Sequence, residues 1–354
     1  MEDPSMLTLT LLMAAAAPAP PTAVELLDRV ELQDRSLRSF EVQLPADAWH
    51  KLSGEIPVPH AGGTGFTVRP EGVGLAIDTN GDGQTDRLIE GKIDEVTKAR
   101  SAWVRLEAKR ANGESFEYAA RLQDAGKGWH WAASGCVQGM AGKTKVRVLD
   151  LDGDGQYDGY GSDAVILGTG NIASYLSEVI NLDGELYTAQ VAADGSSIAL
   201  EAYTGEVGTI DAKSALETDG KLLSAVVRSA DGKLCFDLAR ARGPMKVPAG
   251  EYKILSGQLG LGDARLMVGP GAAKSLTINT GANLNLEWGG PARAEFSYER
   301  MGSEIAFSPD KVWYYGKAGE EYFGWDPIGK SPEFSVKERK AGVELAKALF
   351  PGTC

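Results

Sequence analysis

Apolar and polar residues alternate along most of this chain in short runs, the period of a strand with one buried face. AWVRLEA (102–108) and SFEYAARL (115–122) flank Ala111-Asn112-Gly113-Glu114, in which Asn-Gly is a strong hairpin signal. GWHWAA (128–133) alternates and is expected to pack a tryptophan on one face. Beyond residue 181 the runs ELYTAQVAA, SIALEAY, LLSAVVRS and KLCFDLA are punctuated by Asp183-Gly184, Asp194-Gly195, Asp219-Gly220 and Asp231-Gly232. From about 272 a further series follows: SLTINT, LNLEW, ARAEFSYER, EIAFS, KVWYYG, YFGW and EFSVKE, with KVWYYG and EEYFGW expected to face each other in one hairpin. Helical spacing is sparse. VELLDRVELQ fits a short helix or a strand, NIASYLSEVI (171–180) a helix, and the terminal GVELAKALF a helix or a final edge strand. The pattern predicts an all-β, mainly antiparallel protein of two to three β-sandwich-like domains with few short helices. Its punctuation divides the chain into a leader (1–22), a β domain (23–170), a sandwich (171–271) and a C-terminal sandwich (272–354).

Two acidic loops interrupt this pattern. The first, Asp78-Thr-Asn80-Gly-Asp82-Gly83-Gln84-Thr-Asp86, lies between GVGLAI and RLIEGKI; the second, Asp150-Leu-Asp152-Gly-Asp154-Gly155-Gln156-Tyr-Asp158, lies between the runs VRVL and AVIL. Ca²⁺ takes about six to eight oxygens, and one loop supplies most of them from positions 1, 3, 5, 7 and 9 around a glycine turn at 6. Loop one offers Asp78, Asn80, Asp82, the Gln84 carbonyl and Asp86. Loop two offers Asp150, Asp152, Asp154, the Gln156 carbonyl and Asp158. Carboxylates this dense repel one another unless a cation sits among them. Two Ca²⁺ sites are therefore expected, each with a dissociation constant on the order of 10⁻⁴ to 10⁻³ M. The competing reading of each loop is a solvated acidic hairpin, which the repetition of the same spacing disfavours.

The pattern D-x-[DN]-x-D-G-x-x-D resembles the β-flanked calcium loops of FG-GAP and thrombospondin type 3 repeats, and more distantly those of dockerins. It departs from the EF-hand, whose bidentate Glu at position 12 is Ile89 in one loop and Gly161 in the other, and whose flanks are helical. Asp163 is the candidate to close the second shell, and Glu90 the first. The resemblance covers nine residues twice, so it implies ligands and not a fold. VPAGEYKIL (247–255) resembles the strand entry of transthyretin-like sandwiches, and the region from 272 resembles an Ig-like sandwich.

Composition narrows the setting. A chain of 354 residues with 43% hydrophobic content can bury large cores. The net charge is −13 and no basic cluster stands out in the sequence, which argues against nucleic acid or an anionic membrane surface as partner. No apolar run reaches the roughly 18 residues of a membrane span. Met6–Ala17 resembles the apolar core of a secretory signal with an Ala-x-Ala exit near Ala14–Ala16, although Glu2 and Asp3 replace the usual basic start. Export to the periplasm or extracellular space, where calcium is abundant, is the expectation. Cys136, Cys235 and Cys354 match no metal spacing; Cys136 and Cys235 form either a disulfide or two buried thiols.

Other chemistry is weaker. Gly168-Thr-Gly170-Asn-Ile-Ala173 matches a dinucleotide fingerprint on paper, but no further βαβ unit follows, so a turn and helix cap is preferred. The histidines, His50, His60 and His130, sit in no nucleophile motif. Trp129/Trp131, Trp313/Tyr314/Tyr315 and Tyr322/Phe323/Trp325 read first as core anchors and second as platforms for sugar rings. The expected function is a calcium-binding, non-catalytic binding or scaffold protein of the cell envelope or extracellular space, its partner a glycan or another envelope protein. The alternative is a carbohydrate-active enzyme or its carbohydrate-binding accessory module.

Overall fold

A computed structural model describes residues 27–46, 49–302, 304–326 and 333–349. The expected leader (1–22) and Cys354 lie outside the described residues. The architecture is all-β, as the alternation predicts, and its sheets are antiparallel except for two short parallel pairs, Val207–Asp211 with Asn283–Asn285 and Leu216–Glu217 with Trp288–Gly289. Among the described residues the one helical element is a single 3₁₀ turn, Leu238–Arg240. No helix there is long and apolar enough to cross a membrane.

The hairpin built on Asn112-Gly113 shows how the pattern becomes structure. Arg100–Lys109 and Ser115–Asp124 pair in unbroken register, and Gly113 takes the positive φ of 89° that the turn needs. Val104, Leu106, Ala120 and Leu122 fall on one face and are fully buried, while Arg105, Glu107 and Glu117 stay on the other. Trp129–Ala133 adds the next strand and buries Trp131, which edges against Tyr118.

Two large cores result. The first gathers Phe66, Ile77, Val104, Leu106, Trp131, Val148, Leu176 and Leu200. The second gathers Ile210, Val227, Phe236, Tyr252, Val268, Trp288 and Tyr322. A smaller cluster around Cys136, Leu149 and Ile166 is covered by Phe40, Val42, Leu44 and Trp49.

The strand ladders run across positions 170 and 271, where the sequence punctuation placed borders. Leu27–Glu31 pairs with Ser197–Ala202, and Ala264–Gly269 pairs with Glu321–Asp326. SLTINT, ARAEFSYER, EIAFS, KVWYYG and YFGW thus join an eight-stranded sheet that begins with earlier strands, while LNLEW pairs with 207–211 and 216–217, and EFSVKE with the terminal strand. KVWYYG and EEYFGW do face each other, Tyr314 opposite Tyr322. The helix expected over 171–180 is absent. Ser174–Tyr175 and Val179–Leu182 are strands, because the open edges of Ala164–Leu167 and Glu185–Val191 take up their backbone groups. Ten residues alone hold a helix poorly in water. Within VELLDRVELQ and the terminal run the described residues likewise form strands, Leu27–Glu31 and Glu344–Leu349.

Candidate metal centre

Each acidic loop joins two antiparallel strands. Loop one links Gly74–Ile77 to Arg87–Ile89, and loop two links Thr144–Leu149 to Ala164–Leu167. The buried end of the incoming strand carries the first aspartate inward, so Asp78 and Asp150 are both buried. Their backbone cradles match. One carboxylate oxygen of Asp78 accepts from the Gly81 amide at 2.8 Å and the other from Gly83 at 2.8 Å; for Asp150 the donors are Gly153 at 2.7 Å and Gly155 at 2.9 Å. The glycine at position 6 has φ of 82° in Gly83 and 77° in Gly155. A side chain would be strained there.

Beyond the cradle the loops diverge. In loop one Asp86 is exposed and turns back onto Thr79, accepting from its hydroxyl at 2.8 Å and its amide at 3.2 Å. Asn80 and Asp82 accept from the amides of Asp82 and Gln84, closing local turns. Among the described residues, no group of three carboxylate, histidine or cysteine ligands forms there, and Glu90 joins none.

In loop two the structure brings Asp150, Asp152 and Asp163 together, with one oxygen from each lying within 4.8 Å of the others. That spacing fits an ion bonded at about 2.3–2.6 Å, the Ca²⁺–oxygen range. Asp154 and Asp158 are exposed and outside this trio; Asp154 accepts from the Gln156 amide at 2.8 Å and from its side-chain amide at 3.2 Å. Gly159 leaves the space between two of the carboxylates open, since a Cβ there would sit 3.0 Å from Asp163 Oδ2 and 3.2 Å from Asp152 Oδ2.

Burial makes this trio electrostatically costly. Asp163 is fully buried and accepts from the amides of Leu151 at 3.0 Å and Gly159 at 2.9 Å. Asp150 also accepts from the buried Tyr118 hydroxyl at 2.7 Å. Among the described residues every donor to these two carboxylates is neutral. Burial pushes Asp150 up to about 7, with the Asp154 charge adding to it, against the hydrogen bonds from Tyr118, Gly153 and Gly155. Burial pushes Asp163 up to about 8, helped by the charges of Asp150 and Asp152 and opposed by its two amide donors. Tyr118 is raised well above the usual phenol range, by burial first and Asp150 second. Tyr118 carries no metal-loop signature, and only the fold brings it to Asp150.

Loop two is also wedged between distant parts of the chain. A Cβ on Gly155 would strike the Pro57 carbonyl, and His50 Nε2 lies 3.2 Å from the Leu151 carbonyl. Arg228, from the second core's sheet, donates to the Gly161 carbonyl at 2.9 Å. The Gly161 amide in turn donates to Leu176, which lies in the first core.

The other constellations resolve plainly. Gly168–Ala173 is a turn held by Arg147 on the Gly168 and Gly170 carbonyls, and a strand follows it in place of the expected helix. The histidines engage backbone: His60 accepts from the Gly62 amide at 3.1 Å, and His130 Nδ1 lies 3.0 Å from the Gly128 carbonyl. Trp131 and Tyr322 anchor the cores, whereas Trp313, Phe323 and Trp325 are exposed. Cys136 and Cys235 are free buried thiols, pushed by burial up to about 11 and about 12. Comparison with family models, curated proteins and solved structures finds no match for this chain.

Proposed function

We propose that loop two binds a structural Ca²⁺ ion through Asp150, Asp152 and Asp163, within an exported, non-catalytic binding or scaffold protein. One observation carries this reading: two buried carboxylates and a third beside them share one small space, and among the described residues no basic side chain is paired with the buried two. Deep burial of unpaired like charge is expensive, and a divalent cation is the simplest remedy. Oxygen-only donors favour a hard ion. Because the loop touches strands of both cores, the bound ion also holds those contacts in register. A weak site of this kind suits a compartment with millimolar calcium, which is why the reading includes export. Loop one, with the same cradle but an exposed rim, is a second and weaker Ca²⁺ site.

Thermal melts of the intact protein in calcium and in EGTA test the proposal. With a dissociation constant on the order of 10⁻⁴ M and tenfold excess calcium, stabilisation is about 1.4 kcal/mol, or roughly 2 °C if the whole chain melts as one unit and roughly 3–5 °C for a unit about half that length. Coincident melting temperatures contradict it.

A further inference from the structure

The two-residue turn Asp183-Gly184, which joins Val179–Leu182 to Glu185–Val191, borders a pocket of about 620 Å³. The segment from Arg240 to Lys246 lines the same pocket, together with Asn181, Thr144 and Thr209. Its polar side chains fall into two groups. One group is closed within the protein. Asn181 donates to the Lys246 carbonyl at 3.0 Å and accepts from the Gly184 amide at 3.0 Å. Lys246 Nζ donates to both oxygens of Glu185 at 2.8 Å, Thr209 donates to Asn283 at 2.7 Å, and Thr144 donates to Asp183 at 3.2 Å. The other group is Arg240 and Arg242. Among the described residues neither forms a hydrogen bond or an ion pair.

The backbone that carries these two arginines is pinned. Asp237 accepts from the Ala239 amide at 3.1 Å, and Lys213 Nζ donates to the carbonyls of Ala239 at 2.7 Å and Ala241 at 2.5 Å. Arg147 is engaged in the same way by the Gly168 and Gly170 carbonyls. Arg240 reaches that turn without bonding to it, since a Cβ on Gly168 would lie 3.3 Å from one of its guanidinium nitrogens. Burial holds the Arg240 guanidinium below its usual range; the charges of Asp237 and Asp183 oppose this, and the charge of Arg147 adds to it. Arg240 is thus a cation that the fold desolvates and sets near another cation, yet does not pair.

Two open guanidinium forks, each with five N–H donors, call for an anion with more than two oxygens. A carboxylate fills one fork. A phosphoryl group presents three terminal oxygens and close to two charges at neutral pH, enough for both. The rest of the lining limits what that group is attached to. Asp183 keeps acceptor capacity beyond its bond from Thr144, which suits a hydroxyl and repels a second anion. Pro244, Ala241 and the buried Met245 add apolar surface.

We propose that this pocket binds a sugar phosphate, with its phosphoryl group on Arg240 and Arg242 and a ring hydroxyl on Asp183. The volume lies within the ~300–1,000 Å³ range of ligand sites. This inference does not depend on the calcium loops, none of whose residues lines the pocket.

The experiment is calorimetric titration of the full chain in calcium-containing buffer with glucose 6-phosphate, glucuronate, glucose and inorganic phosphate. Glucose 6-phosphate is expected to bind and to weaken with added salt, and each of the other three to bind at least tenfold more weakly. The double substitution Arg240→Gln/Arg242→Gln, at exposed positions that leave both acidic loops intact, is expected to weaken glucose 6-phosphate by about tenfold or more. Association bridged by loop-bound calcium would survive that substitution and overturn the assignment. Glucuronate or inorganic phosphate binding as tightly as glucose 6-phosphate would overturn it too, the first by removing the need for a phosphoryl group and the second by removing the sugar. No heat at millimolar glucose 6-phosphate would do the same.

Discussion

The two acidic loops share a nine-residue pattern and a backbone cradle, yet one is a rim and the other a hub. Loop one sits at the surface, where Asp82, Gln84 and Asp86 are exposed and the glycine turn at Gly83 faces open space. Loop two sits where strands of both cores converge, and it alone recruits a carboxylate from beyond the pattern, Asp163. The pattern therefore specifies the turn, while the surroundings decide what the turn is worth. In water, neighbouring carboxylates are screened and hydrated; buried, the same chemistry demands a counter-charge.

The largest difference is expected at the turn glycines. Gly155→Ala forces a side chain into a positive-φ residue and against the Pro57 carbonyl, and should cost about 3 kcal/mol or more. Gly83→Ala meets the same backbone strain with nothing within 4 Å, and should cost about 1 kcal/mol. Urea unfolding of the two variants gives the comparison, and equal losses would erase the distinction between hub and rim.

Next come the carboxylates. Asp163→Ala leaves the Leu151 and Gly159 amides without their acceptor, at a cost of about 2–3 kcal/mol in calcium, together with loss of loop two's share of the calcium response. Asp86→Ala removes only exposed bonds to Thr79 and should cost under about 1 kcal/mol. Chemical denaturation with and without calcium separates the outcomes.

A subtler contrast lies in pH. In the calcium-free protein Asp150 and Asp163 hold their protons more tightly folded than unfolded, with values of about 7 and about 8 against an ordinary 3.8. Their contribution is thus fully present below the unfolded value and drains away as pH rises through 7 and 8. Calcium removes that loss by stabilising the ionised trio. The calcium-induced rise in melting temperature should therefore be larger at pH 8 than at pH 5. A response independent of pH would contradict this.

How much of this was legible in the sequence follows the same line between local and distant. Asn112-Gly113, the alternation around Val104 and Leu106, and both nine-residue loops are local signals, and each appears in the structure as a turn, a strand face or a cradle. Asp163 was reachable because it lies five residues past the pattern. Tyr118 was not, because its bond to Asp150 spans 32 residues and depends on how two sheets meet. The run 171–180 has helical spacing, but open strand edges on both sides decided its conformation. Pairing across positions 170 and 271 is likewise a long-range choice that Asp-Gly punctuation cannot encode. That Arg121 lies directly opposite Trp103 is invisible as a motif and emerges only from register.

The most direct test of the central claim is calorimetric titration of calcium into chelator-stripped protein, beside the near-isosteric variant Asp163→Asn. We expect saturable binding in the parent, and in the variant loss of the tighter site with only the weak response of loop one remaining. Undiminished binding in Asp163→Asn, or no binding by the parent at millimolar calcium, would contradict the assignment of Asp150, Asp152 and Asp163 as a calcium centre.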